Sequence, residues 1–335
     1  MAHITFSEGS GLQDSIFGKS QAPIRRFLES RAEAFDAQSI YKEIFNVEKS
    51  NNYAEKMGGM TAMEEFQAVG ENGAHPVTGM QESYSKTFEH ITWKNSFSIS
   101  REIMDDNKIL DLRGRPQAFI QGYYRTRERY GAALLGAAMK PTANTVKFNG
   151  VSASILGADG KKLLATDHPC KVKGADQSNA YADAFSEAAL GKLETKMQNC
   201  YDDNGNILAL APDTIIIPND YTTKQKVFAV LGADKTTGNG NNDFNFLFGR
   251  WNVIVWSYLN QFVAGSTQVP WLLMDSNYNK TVGTAMWFDR VPLEVKSRVD
   301  DDTDANVWNG YARFVAGFND WRGIFGGGIN SGSSL

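Results

Sequence analysis

The sequence predicts an α+β fold, and three features carry that expectation. Residues 84–100, YSKTFEHITWKNSFSIS, hold neither Pro nor Gly and are rich in β-branched and aromatic residues, the composition of a strand. From about Leu112 to Met139, apolar side chains recur at three- and four-residue intervals until Pro141 supplies a stop, as in a long helix. Beyond residue 180, short helical and strand segments succeed one another, and the chain closes in β segments.

Taken in order, residues 23–45 predict a helix. Pro23 suits its first position, Ile24, Phe27, Leu28, Ala32 and Phe35 follow at helical spacing, and Tyr41, Ile44 and Phe45 extend the stripe less regularly. Glycine clusters then bracket a short segment, MGGMTAMEEF followed by VGENGAHPVTG, which implies an excursion with its own turns. The strand 84–100 returns from it, so residues 55–99 together read as a protruding two-arm loop. As one strand it would run about 55 Å at roughly 3.3 Å per residue, longer than an ordinary core requires. Its buried side also changes midway: Tyr84 and Phe88 share one face, whereas Ile91, Trp93, Phe97 and Ile99 share the other.

REIMDDN ends that strand, and the long helix follows, about 40 Å at 1.5 Å per residue. Phe119, Ile120, Tyr123, Tyr124, Arg127, Tyr130, Leu134 and Ala138 mark one face, and the small residues of GAALLGAAM imply close packing in the second half. After a turn-rich stretch, Asp183 is placed to cap a helix burying Phe185, Ala189, Leu193, Met197 and Cys200. DTIIIP predicts a short buried strand and 221–231 a further helix, followed by the loop TTGNGNND. RWNVIVWSYL and PWLLMD predict two more strands. VPLEVKSRV and GYARFVAGFNDWRG close the chain around a hairpin carrying DDDTD.

The 335 residues, 42% of them hydrophobic, suffice for one large domain or two ordinary ones. A formal net charge of −4 argues against nucleic-acid wrapping, and two cysteines, Cys170 and Cys200, exclude a disulfide framework. The start lacks a secretory signature and no apolar run approaches the length of a membrane span, so a soluble cytoplasmic protein is expected. Both ends are poor in hydrophobes, and such tails fray unless something ties them down.

Candidate chemistry is sparse. Asp167 and His168 are adjacent, but neighbours on an extended chain point to opposite sides, and no nucleophile motif accompanies them, so a role in a turn is the stronger reading. His3, His75, His90 and His168 are scattered and form no metal-ligand pattern. Asp300–Asp304 resembles the start of a calcium loop without its glycine or closing Glu, and a solvated hairpin tip is expected. GNGNND lacks the context of a phosphate loop. RTRER makes Arg125, Arg127 and Arg129 candidates for a surface facing packaged nucleic acid, against the plainer reading of a helix flank offset by Glu128. No catalytic residue, metal or cofactor is expected.

The order of segments resembles the major capsid proteins of tailed bacteriophages, those of the Hong Kong 97 fold, and among them the Mu-like head subunits. SNNYAEKMGGMTAMEEF looks like the start of that group's extended loop (E-loop), and SISREIMDDNK with the helix after it like its junction to the spine helix. DGKKLLATDHP, the block from AFSEAALGKLETKMQNC to TIIIPNDY, PWLLMDS and NGYARFVAGFNDWRG complete the series over roughly residues 40–325. The resemblance implies an N-terminal arm (1–50), an E-loop with its return strand (51–100), a peripheral domain with the spine helix (101–144), an axial domain (145–284), and return strands with a C-terminal tail (285–335). It implies a major head protein that self-assembles, as pentamers and hexamers, into an icosahedral shell around double-stranded DNA in the host bacterial cytoplasm.

On that reading the E-loop lies across a neighbouring subunit, which would explain the change of buried side. Tyr84, Phe88, Trp93, Phe97, Asp301 and Asp302 become candidate inter-subunit contacts, with ordinary burial as the competing reading for the aromatics; FNFLFGRW shares that ambiguity. Packaged DNA would be met by weak non-specific contact. A portal protein and a separately encoded scaffolding protein are the expected partners, because fewer than 50 residues precede the loop. Lys86 and Lys94 carry no local pattern for the covalent linkage known in the fold, and none is expected. The alternatives are an encapsulin-type compartment and, from another class, a hydrolase using His168.

Overall fold

A computed structural model describes residues 5–7, 31–61, 63, 65–77, 79, 81–106, 109–140, 143–232 and 245–335. The predicted helix start at Pro23–Leu28 and the TTGNGNND loop lie outside the described residues. Strand β1 (Thr5–Ser7) is followed by helix α1, described over 31–37, and the short α2 (Tyr41–Ile44). The helix predicted to run to residue 45 is broken after residue 37, where the Ser39 hydroxyl donates to the Phe35 carbonyl (3.1 Å), the local competition that makes Ser a poor helix interior. The chain then enters β2 (Asn46–Lys49) and β3 (Ala54–Met60).

The predicted strand 84–100 is two strands, β4 (Glu82–Glu89) and β5 (Ile91–Ile99), divided at His90. Strand β4 pairs only with β3, whereas β5 is an outer strand of a different sheet, so the change of buried side marks a change of sheet. The two-arm excursion is therefore 54–89, and the return strand belongs to the body.

Helices α3 (Arg101–Asp105) and α4 (Ile109–Met139) follow. In the second half of α4, Ala132, Ala133, Leu134, Leu135 and Ala138 are fully buried. A Cβ at Gly136 would stand 2.5 Å from that of Phe262, so the close packing expected there requires glycine despite its cost of roughly 1 kcal/mol in a helix. Strands β6 (Thr145–Phe148) and β7 (Val151–Ser154) form a hairpin through Asn149-Gly150, both at positive φ. Helix α5 (Glu187–Gln198) is capped by Ser186, which accepts from Ala189 N (3.1 Å); Asp183, the expected cap, instead accepts from the backbone N–H of Leu335 (2.8 Å). Its predicted buried face is observed.

Strand β8 (Thr214–Pro218) and helix α6 (Tyr221–Leu231), capped by Asp220, match expectation. After β9 (Asn252–Trp256) come α7 (Asn260–Val263), β10 (Trp271–Met274) and α8 (Ser276–Val282). The chain ends in the long hairpin β11 (Ala285–Val299) and β12 (Asn306–Phe318), then β13 (Ile324–Gly327).

Two sheets organise the body. In the first, of order β1-β11-β12-β5, β2 and β1 lie parallel to successive halves of β11 while β12 runs antiparallel along it. Register shifts in β11 fall around Pro292, which has no N–H to give the ladder. The second sheet, of order β13-β10-β8-β9, has β8 and β9 parallel. Helix α4 lies between them: Tyr130 packs on Trp287 and Phe314 of the first sheet, and Gly131 faces Trp256 of the second. One apolar cluster runs through both.

Candidate assembly surfaces

The arm is a two-stranded ribbon closed by reciprocal bonds, Thr61 N to Gln81 O (2.8 Å) and Gln81 N to Thr61 Oγ1 (2.9 Å). Beyond them every described residue from Met63 to Gly79 is exposed. Phe66 and Val77 are 107% and 97% accessible, and Met63 and Val69 more than half. A loop this long with so many uncovered apolar side chains is a candidate interaction surface, because large exposed apolar area is uncommon on a chain that works alone. No residue of the tip stood out in the sequence, although the glycine clusters marked the segment.

The arm's stem is docked on its own body. Ser83 Oγ donates to Asp203 (2.7 Å), Lys86 Nζ donates to the Leu156 carbonyl, and Lys171 Nζ donates to the Glu82 carbonyl. Burial lowers the pKa of Lys86 to about 8, against a smaller opposing pull from Asp159. Phe88 is buried, its ring 5.4 Å from that of Phe288, and reaches the sheet because Gly317 has no Cβ; one there would stand 2.8 Å from the Phe88 ring. At the root, Ser50 Oγ bonds both Glu55 (2.6 Å) and His90 Nε2 (2.8 Å). Burial, then Arg313 and Arg290, hold the His90 imidazole below its usual pKa against Glu55 and Asp289.

Of the candidate contact residues, Phe88, Trp93 and Phe97 are engaged within their own chain. Trp93 stacks on Phe314 (5.2 Å between centroids) and Phe97 on Trp308 (5.1 Å), on the face of β5 turned toward α4. Phe88 is buried at home, whereas Trp93 and Phe97 are half-buried against their own body. Tyr84 is half-buried beside a cavity of about 260 Å³ between the arm and the body, lined also by Ser83, Asp203, Tyr278, Asp320 and Arg322. Asp301 and Asp302 are exposed at the β11–β12 tip, flanked by the pairs Arg298–Asp300 and Arg101–Asp304 (each 3.4 Å). Among the described residues no cluster fits a metal ion. In FNFLFGRW, Leu247 is buried and Phe246 and Phe248 are exposed.

The arginines of RTRER divide. Arg125 is exposed and Arg129 half-buried, 5.6 Å above the Phe148 ring. Arg127 is 1% exposed and is corrected from a nucleic-acid-facing candidate to a core strut. Its guanidinium donates to Asp289 (2.7 Å) and the Tyr123 hydroxyl (2.8 Å) amid the rings of Tyr41, Trp287 and Phe314 at 4.9–5.0 Å. Burial opposes the charge, but Tyr123, Asp289 and Tyr41 outweigh it and hold the group firmly protonated. Glu128, read from the sequence as an offsetting charge, accepts from Tyr41 N (3.2 Å) and Trp256 Nε1 (2.8 Å), joining α4 to α2 and β9.

His168 is 1% exposed and stacked on Trp321 (4.3 Å); Nδ1 meets Asp159 (2.6 Å) and Nε2 meets the Asn179 amide oxygen (3.1 Å). Both nitrogens are engaged and no face is open to a substrate. Asp167 pairs with Lys161, away from its sequence neighbour, as the extended geometry required. The partner Asp159, nine residues earlier, carried no signal in the sequence.

With these surfaces placed, the family model described as phage capsid protein matches residues 83–326, from β4 to β13. The chain belongs to the phage capsid protein family. No curated protein sequence matches it. Among solved structures, that of Mycobacterium phage Patience is similar over all of this chain and 94% of its own, at 10% identity and a TM-score of 0.51. Microbacterium phage Oxtober96 (9% identity, TM-score 0.50) and the capsid of Myoviridae phage XM1 (11%, 0.50) each match 86% of this chain and 90% of their own. At such identities the likeness speaks for the fold, the Hong Kong 97-type α+β capsid fold that the segment order implied. As a phage capsid protein, the chain is a structural component of a phage capsid. No helix among its described residues is long and apolar enough to cross a membrane.

Proposed function

We propose that this capsid protein is the major head subunit of a tailed phage of the Mu-like type. It builds a shell from pentamers and hexamers around double-stranded DNA in the host bacterial cytoplasm, with a portal protein and a separately encoded scaffolding protein as partners. The observation that carries this reading is the arm: a stem anchored at home and a tip whose described residues from Met63 to Gly79 are all exposed. A neighbouring copy supplies that cover, and contacts of unlike surfaces related by rotation close into rings. Residues 1–50, 51–100, 101–144, 145–284 and 285–335 take the roles of N-terminal arm, extended loop with return strand, peripheral domain, axial domain, and return strands with tail. Asp301, Asp302 and Tyr84 serve as subsidiary contacts, and Arg125 and Arg129 are the cations left to meet DNA weakly.

Electron microscopy of the purified, concentrated protein tests this. Rings and curved fragments of shells are expected from the chain alone, with efficient closure requiring the scaffolding protein, and the nucleic-acid content of closed shells separates a genome container from a protein compartment. A chain that remains a monodisperse monomer at every concentration overturns the reading.

A further inference from the structure

The tip's sequence, TAMEEFQAVGENGAHPVTGMQ (61–81), contains Glu64, Glu65 and Glu71 and no Lys or Arg. Glu65 and Glu71 are exposed, interspersed with the exposed Met63, Phe66, Val69 and Val77. Such a surface calls for a partner that is basic and partly aromatic.

The first sheet offers one. Its odd-numbered β5 residues, Trp93 and Phe97, face α4; the even-numbered Thr92, Lys94, Ser96 and Ser98 point the other way and are exposed. The register sets Lys94 against Tyr311 and Ser96 against Asn309 on β12, and these against Glu294 and Lys296 on β11. Lys94 lies 5.8 Å from the Tyr311 ring centre, and these residues line a shallow cavity of about 700 Å³. Arg298, paired with Asp300, and Arg313 extend the face, whose charged groups are Lys94, Lys296, Arg298 and Arg313 against Glu294. The other end of this face, at Met286, Phe288 and Val315, is covered by Phe88 of the chain's own arm.

The ribbon leads away from this face of its own sheet. Thr61 and Ser83, at the tip end of the ribbon, border the cavity with Asp203 and Arg322 in the body, whereas the basic face runs from the root in the direction of β5. A loop of this length reaches on the order of 30 Å beyond its base, at about 3.3 Å per residue. We propose that the acidic, apolar tip of a second copy lies on this open sheet face, with Glu65 and Glu71 beside Lys94 and Lys296. The inference rests on the shell reading and specifies its chemistry: an acidic loop on a basic sheet, with Tyr311 offered to the loop's apolar side chains. Opposite potentials of this kind set register and suppress wrong pairings in a lattice of identical copies.

Charge reversal of the full chain tests it. Lys94→Glu with Lys296→Glu, and Glu65→Lys with Glu71→Lys, are each expected to lower the yield of shells at least tenfold, while the four changes together restore it to within about threefold. All sites are exposed, and circular dichroism of each variant verifies that it is folded. Shells at wild-type yield from either pair, or no recovery in the combined variant, overturn the inference while the shell reading stands. Normal shells with reduced nucleic acid in the lysine variant also overturn it, assigning the face to DNA. A wild-type chain that never assembles overturns both.

Discussion

Arg127 shows how far a residue's neighbours decide its role. In the sequence it belongs both to a basic run and to the apolar face of a helix, and the second membership determines its place. A buried cation held by one carboxylate and four aromatic rings costs desolvation that its partners must offset, and removing it leaves Asp289 without its counter-charge. Asp289 retains the Trp287 indole N–H (3.0 Å) and partial contact with solvent. Arg127→Met should therefore lower the stability of the folded chain by about 3–5 kcal/mol, read by urea unfolding; an unchanged midpoint would refute the strut. The helical spacing that put Arg127 in line with Tyr123 and Tyr130 was legible. The identity of its acceptor, 162 positions away, was not, because only the fold brings β11 to α4.

The arm shows the same division between local pattern and distant pairing. Its glycine-bracketed excursion and its β-rich return were visible as periodicity and composition, but the break at His90 showed only as a change of buried side, because neither Gly nor Pro marks it. The strand changes sheets there through long-range pairing: Phe88 needs the gap at Gly317, and Ile91 opposes Phe314. The Asn149-Gly150 hairpin, by contrast, carried a plain turn signal within a stretch read only as turn-rich. Lys86 makes the docking of the stem responsive to pH. Titrating at about 8 in the folded chain, below its ordinary 10.5, it binds fewer protons there than in the unfolded chain between those values. Stability gains with rising pH across that window and receives no such increment below it. Wild type should gain on Lys86→Met between pH 7 and pH 9.5 in urea titrations, and a constant difference between the two would rule this out.

At the scale of the whole molecule, body and arm tip have separate tasks. Replacing 63–79 by a short turn removes a segment whose described residues are all exposed, and surface changes of that sort usually stay within about 0.5 kcal/mol each. The shortened chain should melt within a few degrees of the full one yet yield no shells under the electron microscope. Intact shells would move the decisive contact elsewhere, and a collapsed melting temperature would make the tip part of the fold. The α+β class and the sequence of segments could be read in advance because each segment carries its own periodicity. The exposed tip could not, since an uncovered apolar side chain looks in the sequence like any loop residue.

The cluster running from Trp287 and Phe314 through α4 to Trp256 and Ile216 has a mechanical corollary. Two halves sharing one continuous apolar interior have no joint to bend between them. Tiles on a closed surface must nevertheless meet at unequal angles around five- and six-membered vertices. With the tile itself stiff and the stem fastened along it by Ser83, Lys86 and Phe88, that variation in tilt is left to the contacts the exposed tip makes beyond it.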